Sequence, residues 1–444
     1  MAMVNQVDEE NKPLRASNEA VPSPPRRKGL WAEIKHHPLA RLGPGLITGV
    51  ADDDPSGIAT YSQAGAQFGL NMLWTMPLTF PLMVTIQLMC AQIGRVTGKG
   101  LAANIKMAFP ASVVRIVVLL VLIANTLNIA ADVAAMGEVA ELVTGLNRHV
   151  MTAMFVIATL GLQILVPYHV YVNYLKWLTL SLLAYAAVLF TVHVPWGVVA
   201  ARTVWPQMAI TRESTMLVVG LFGTTISPYL FFWQASEEVE DMRGAPSLLA
   251  NPHAARRELR RLRWDTWSGM FYSNISAYFI ILATAVTLFV SGIHDINTAA
   301  EAATALKPVA GNFAFMLFAL GILGVGMIGV PVLAGSAGYA MCEAMGWNWG
   351  LERKSTDARG FYGVIAVSVL AGLAIQYSPI SPMKALVWSA VINGVVAVPL
   401  TAIVTILAAR RSVMGDFTFK LPYLVLGWLT TVIMGLATIG MFVL

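Results

Sequence analysis

Asp52-Asp53-Asp54-Pro55-Ser56-Gly57 interrupts an apolar stretch that runs from about residue 44 to residue 66, and its reading decides the fold. A single charged side chain at mid-bilayer costs about 2.5–3.5 kcal/mol on the insertion scale unless it is paired or wet. Three in succession are not accidental core residues. Proline lacks the backbone donor and clashes with the preceding turn, while glycine admits non-helical dihedrals. The hexapeptide therefore predicts a membrane helix unwound in its middle, with at least one carboxylate and several bare carbonyls placed to hold a cation. The plainer alternative has the three aspartates only capping the second half-helix.

Outward from that point the chain is a membrane protein throughout. Of its 444 residues 57% are hydrophobic and 12% charged, roughly half the charged share of an average soluble domain. The apolar residues come in long blocks, near 44–66, 71–94, 111–142, 149–167, 170–192, 215–236, 266–292, 312–345, 361–377, 383–409 and 421–444. Each block suits a hydrocarbon core of about 30 Å. The expectation is an all-α polytopic protein with about eleven spans. A polar, Pro-rich tail occupies residues 1–42; its segment 29–41 suits the membrane surface, and His36-His37 fits an interfacial basic pair better than a metal site. No apolar leader opens the chain, so no cleavable signal peptide is expected. Cys90 and Cys342 are the only cysteines, which excludes a disulfide framework and a cysteine metal site.

The net charge of +5 is not a nucleic-acid signal, because the basic residues alternate with the spans. Arg26, Arg27, Lys28, Lys35, Arg41, Arg95, Lys99, Lys106, Arg256, Arg257, Arg260, Arg261, Arg263, Arg353, Lys354, Arg359, Arg410 and Arg411 fall on one side. Arg148, Arg202, Arg212, Lys307 and Lys384 fall on the other. The positive-inside rule then places the N-terminus in the cytoplasm and the C-terminus outside, in the cytoplasmic membrane. The Arg-rich stretch 256–263 is expected to be a solvated or headgroup-facing loop in preference to a partner-docking helix.

The sixth span carries a second break, Gly223-Thr224-Thr225-Ile226-Ser227-Pro228. Breaks in spans one and six lie five spans apart, which gives the two helices opposite directions. Paired interruptions in corresponding halves are the best sequence pointer to a transporter's central site. The expected organisation is a first five-helix repeat over 43–192, an inverted second repeat over 215–409, and an extra helix over 421–444.

Three motifs resemble one known family. Gly43-Pro44-Gly45, Asp54-Pro55-Ser56-Gly57 and Ser62-Gln63-Ala64-Gly65-Ala66 look like the first helix of the NRAMP divalent-metal transporters. Gly223 to Tyr229 is similar to that family's sixth-helix Gly-Ala-Thr-Val-Met-Pro-His, and Ala131-Asp132-Val133-Ala134 to its third-helix Thr-Asp-Leu-Ala. The resemblance implies a LeuT-type fold of two inverted five-helix repeats, alternating access, and an ion held by a motif Asp, Asn, Met and backbone carbonyls. Matched residue by residue, Asp is Asp54 and the carbonyl positions are Ala51 and Thr224. The Asn is replaced by Gly57 and the Met by Ser227.

Those two departures matter chemically. A thioether favours transition metals over hard ions, and its loss removes that filter. Both replacements are small, so a roomier cavity is expected, with Asp52 and Asp53 adding oxygen donors suited to a partly hydrated Mg²⁺. Tyr229 replaces the family's His and barely titrates near neutral pH, and Asn125 and Ala135 occupy two acidic positions. Asp132 remains, with Glu138 and Glu141 beyond it on the same helix, as proton-relay groups or equally as paired or wet vestibule-wall residues. The pattern resembles the NRAMP-related magnesium transporters, which carry Mg²⁺ and Mn²⁺ without proton coupling. The substrate expected is thus Mg²⁺ or Mn²⁺, with no cofactor, no nucleic acid and no protein partner beside the lipid bilayer.

Weaker candidates are Gln63, facing the vestibule, and Ser389 with Asn393, which share a face of span ten and fit interhelical hydrogen bonding better than ion contact. Gln234, Glu237 and Glu238 end span six, at the inner exit or in the cytosol. Alternatives are a mainstream proton-coupled Mn²⁺/Fe²⁺ importer and a cation-coupled carrier of small solutes on the same fold. Three carboxylates disfavour an anionic solute. The chain has no HExxH pair and no Gly-x-Ser-x-Gly elbow, so an intramembrane enzyme is not expected.

Overall fold

A computed structural model describes residues 44–166, 170, 175, 178–242, 244–375 and 381–444. The tail, with His36 and His37, lies outside them. Every described regular element is helical, and no strand occurs among the described residues. The main helices are α1 (Pro44–Asp52), α2 (Pro55–Phe68), α3 (Thr75–Thr97), α4 (Ala111–Thr144), α5 (Arg148–Leu165), α6 (Arg212–Thr225) and α7 (Pro228–Asp241). After these come α8 (Ala255–Thr284), α9 (Ala314–Met345), α10 (Arg359–Ile375), α11 (Pro382–Ala409) and α12 (Leu421–Val443).

Eight helical stretches of the described residues are long and apolar enough to cross a membrane. The eleven expected spans differ from them for specific reasons. The first is split into halves of 9 and 14 residues, the ninth is the 17-residue α10, and the fifth falls partly outside the described residues. The Arg-rich stretch is a correction: it forms the first turns of α8 rather than a loop.

Local sequence sets the breaks. Pro55 opens α2, with Asp54 as an extended cap (φ −64°, ψ 171°) whose carboxylate accepts the Gly57 amide. Pro228 opens α7 behind an equally extended Ser227 (φ −76°, ψ 127°). Proline suits a first helical position, where its missing N–H costs nothing.

The two broken helices lie antiparallel with their breaks side by side. Thr48 Oγ1 donates to Gln234 Oε1 at 2.5 Å, and the Tyr229 hydroxyl donates to the Ala51 carbonyl at 3.0 Å. Beyond the break, a Cβ placed on Gly57 would lie 2.9 Å from Thr224 Oγ1, and one on Gly220 would lie 3.4 Å from Thr60 Cγ2. Residue numbers rise along α1–α2 as they fall along α7–α6, which is the inverted relation that the paired interruptions foretell.

Other helices close around this pair. α1 rests on α8 with Gly45 against Thr266 and Gly49 against Gly269, while Gly223 of α6 meets Ala390 and Gly394 of α11. α9 presents Gly329 to Asp54, where a Cβ would lie 3.2 Å from the aspartate's own. The outer faces remain apolar, with Phe190 91% and Ile157 71% exposed, as a lipid-facing surface requires.

Candidate cation site at the paired helix breaks

Asp54 is 1% exposed and sits where α1, α2, α4, α7 and α9 converge. Its Oδ1 accepts from Ser56 Oγ at 2.7 Å and from the Gly57 amide at 2.8 Å. Its Oδ2 accepts from Asn128 Nδ2 at 2.9 Å and from the Tyr229 hydroxyl at 3.3 Å. Four neutral donors hold the carboxylate, and none of the ion pairs among the described residues includes it. That arrangement keeps a buried charge hydrogen-bonded while leaving it open to exchange donors for a cation.

The carbonyl donors of the site are held by hydroxyl protons. Tyr229 donates to Ala51, and Ser227 Oγ donates to Thr224 at 2.7 Å and to Gly223 at 2.9 Å. Rotating these two hydroxyls away would free three carbonyl oxygens and turn the Ser227 lone pairs toward the centre.

Two expectations about space and charge need correction. Gly57 does not open a roomier cavity in this conformation, because a Cβ there would already meet Thr224 Oγ1 at 2.9 Å and the Asp52 carbonyl at 3.3 Å. Asp52 and Asp53 do not add oxygen to the Asp54 site either. Both face α8, where Ser273 Oγ lies 2.5 Å from Asp52 Oδ2 and 3.0 Å from Asp53 Oδ1. Among the described residues no three His, Cys, Asp or Glu side chains converge as a metal-ligand group. A cation here would rely on one carboxylate plus carbonyl, hydroxyl and amide oxygens.

The remaining candidates divide. Asp132 is fully buried one turn beyond Asn128 on the same face of α4, so it belongs to the break region. Glu138 is half-buried, and its Oε1 accepts the Ala299 amide at 2.8 Å, at the start of the short helix Ala299–Ala303. Gln63 also turns from the vestibule. It donates to the His294 carbonyl at 3.1 Å and accepts the Ile296 amide at 2.9 Å, strapping the loop between α8 and α9 to α2. Ser389 donates within its own helix to Leu386, not between helices, and buried Asn393 has no partner on either amide atom. Gln234 and Glu238 are fully buried instead of meeting the cytosol, the first holding Thr48 and the second paired with Arg261 at 2.8 Å.

Sequence reasoning missed Asn128 and Ser273. Asn128 lies one helical turn before Asp132, a spacing that was available as a signal. Nothing local to Ser273 marks it, since its partners are 220 and 221 residues away.

Comparison with known proteins places this geometry. The natural resistance-associated macrophage protein-like (Nramp) family pattern matches residues 45–444. The chain is 26% identical over 403 residues to the divalent metal cation transporter MntH of Acidiphilium cryptum, covering 86% of each chain. It is 26% identical over 430 residues to the MntH of Burkholderia ambifaria, covering 93% of this chain and 89% of that one. Its fold is similar to that of the Eremococcus coleocola manganese transporter, with TM-score 0.71 and 17% identity over 93% of this chain and 87% of the other. A more distant likeness, TM-score 0.52 and 13% identity over 90% and 92% of the two chains, links it to Mhp1, a nucleobase-cation-symport-1 transporter. The paired breaks, the all-helical LeuT-type architecture and the match over residues 45–444 show that this chain belongs to the Nramp family.

Proposed function

We propose that the protein carries divalent metal ions across the cytoplasmic membrane by alternating access, with Asp54 as the sole carboxylate ligand. The observation that carries this reading is the Asp54 carboxylate, buried beside three carbonyls that two hydroxyls hold in place of an ion. The manganese and divalent-metal transport named for its relatives supports the same class of substrate. The repeats span 43–192 and 215–409, the last helix follows at 421–444, and the N-terminus is cytoplasmic.

Ion choice follows from donor chemistry. Ser227 offers an oxygen where a thioether would select soft metals, so Mg²⁺ is accepted beside Mn²⁺. The ion enters partly hydrated as the α1 and α7 breaks separate, and Tyr229 and Ser227 turn their protons away. Tyr229 in place of a titrating histidine supports transport without proton coupling.

Proteoliposome uptake with an internal Mg²⁺ dye, repeated with Mn²⁺ and with a pH dye, tests the proposal. Mg²⁺ entry without luminal acidification is expected. Mn²⁺ entry that excludes Mg²⁺ and carries stoichiometric protons would instead support the mainstream coupled reading, which the buried Asp132 beside the break favours.

A further inference from the structure

Asp52 and Asp53 are two acids that the Asp54 site leaves unused. Both are 0% exposed. α1 and α8 run in the same direction here, with Gly45 at Thr266, Gly49 at Gly269, and the two aspartates at Ser273 one turn further on. Ser273 Oγ lies within hydrogen-bond reach of both carboxylates but has one hydrogen to give. Asp52 Oδ1 and Asp53 Oδ2, the other oxygen of each, have no hydrogen-bond partner. No ion pair among the described residues reaches either acid.

A buried acid stays ionised only where a counter-charge, a metal or a full set of donors holds it, and otherwise takes up a proton, because desolvating the charge costs several kcal/mol. Here Ser273 lies between the two adjacent acids, Ser276 on the same helix stands beside Asp53, and one oxygen of each acid keeps no close donor. Their combined charge matches a divalent cation, and carboxylate and hydroxyl oxygens are hard donors. We propose that Asp52, Asp53 and Ser273 form a second divalent-cation site on the α1–α8 seam, separate from the Asp54 ligand set. An ion there joins α1 to α8 while another is bound at the break. This second site stands beside the transport reading and does not depend on it.

The test is Mn²⁺ binding to the purified full-length protein in detergent, read from the loss of the free-ion paramagnetic resonance signal, with Mg²⁺ as competitor. The wild type is expected to bind two Mn²⁺ per chain, Asp54→Ala one, and the triple variant Asp54→Ala/Asp52→Asn/Asp53→Asn none. Asp54→Ala/Ser273→Ala keeps both seam carboxylates, and it guards against misfolding of the triple variant. Its remaining site is expected to weaken roughly tenfold, the loss of one hydrogen bond to a charged group. One Mn²⁺ in the wild type and none in Asp54→Ala would overturn the second site and leave the transport site standing. Undiminished binding in Asp54→Ala/Ser273→Ala would also overturn it. Two ions retained by Asp54→Ala would instead remove Asp54 from ion binding.

Discussion

The two helix breaks share a backbone and divide the chemistry. Each places an extended cap residue before a proline that opens the next half-helix. At the first break the cap side chain reaches forward: Asp54 accepts the Gly57 amide and satisfies the start of α2. At the second it reaches back: Ser227 donates to the Gly223 and Thr224 carbonyls and satisfies the end of α6. The forward-reaching residue must be an acceptor and can carry charge. The backward-reaching one must be a donor. Two geometrically related halves thereby supply a carboxylate from one side and releasable carbonyls from the other.

Removing the charged half of this pair is expected to have the largest effect. Asp54→Ala should abolish Mg²⁺ and Mn²⁺ uptake in proteoliposomes, a drop of at least about a hundredfold for a sole charged ligand; residual flux near wild type would move the site elsewhere. Altering the neutral half should change selection more than rate. Ser227→Met removes the proton donor to the two carbonyls and supplies a thioether, so Mn²⁺ should gain on Mg²⁺ by roughly tenfold, or about 1.4 kcal/mol, in competition uptake. An unchanged Mn²⁺:Mg²⁺ preference would show that donor softness at residue 227 does not set the choice.

Tyr229 bridges the breaks by donating to both Ala51 and Asp54. Tyr229→Phe takes away the proton that competes with the ion, so the apparent KM for Mg²⁺ is expected to fall about threefold, one neutral hydrogen bond's worth. A raised KM would make the hydroxyl a ligand instead. Smallest is the effect of Gln63→Ala, which touches neither break. Amide exchange across residues 291–298 should quicken while the Mn²⁺:Mg²⁺ ratio stays within about twofold, because only the loop's hydrogen bonds are lost. A shifted ratio would extend the selective region beyond the breaks.

The breaks themselves were legible because proline, glycine and consecutive aspartates have no other reading inside an apolar span. The antiparallel pairing followed from the five-span separation. What could not be read was the direction of each side chain. Asp52, Asp53 and Asp54 are consecutive, yet only the last faces α4 and α7, since the turn between α1 and α2 rotates the first two onto α8. That division depends on Ser273, Asn128 and Tyr229, brought together by packing rather than by spacing. The size of Gly57 was likewise misleading, because neighbouring atoms moved in to fill the volume its missing side chain left.

The glycine contacts of α1 have a mechanical consequence. At Gly45 and Gly49 its backbone lies directly on that of α8, with a Cβ at Gly45 reaching to 2.7 Å from the Thr266 nitrogen. The Gly45 amide also donates to Asp265 Oδ2 at 2.8 Å, so backbone contact at one end and the Ser273 hydrogen bonds at the other fasten α1 to α8 as one strut. A methyl at Gly49 would fall on the Gly269 backbone and prise this strut apart, and with Ala51 only two residues further along α1 the displacement would reach the carbonyl at the break.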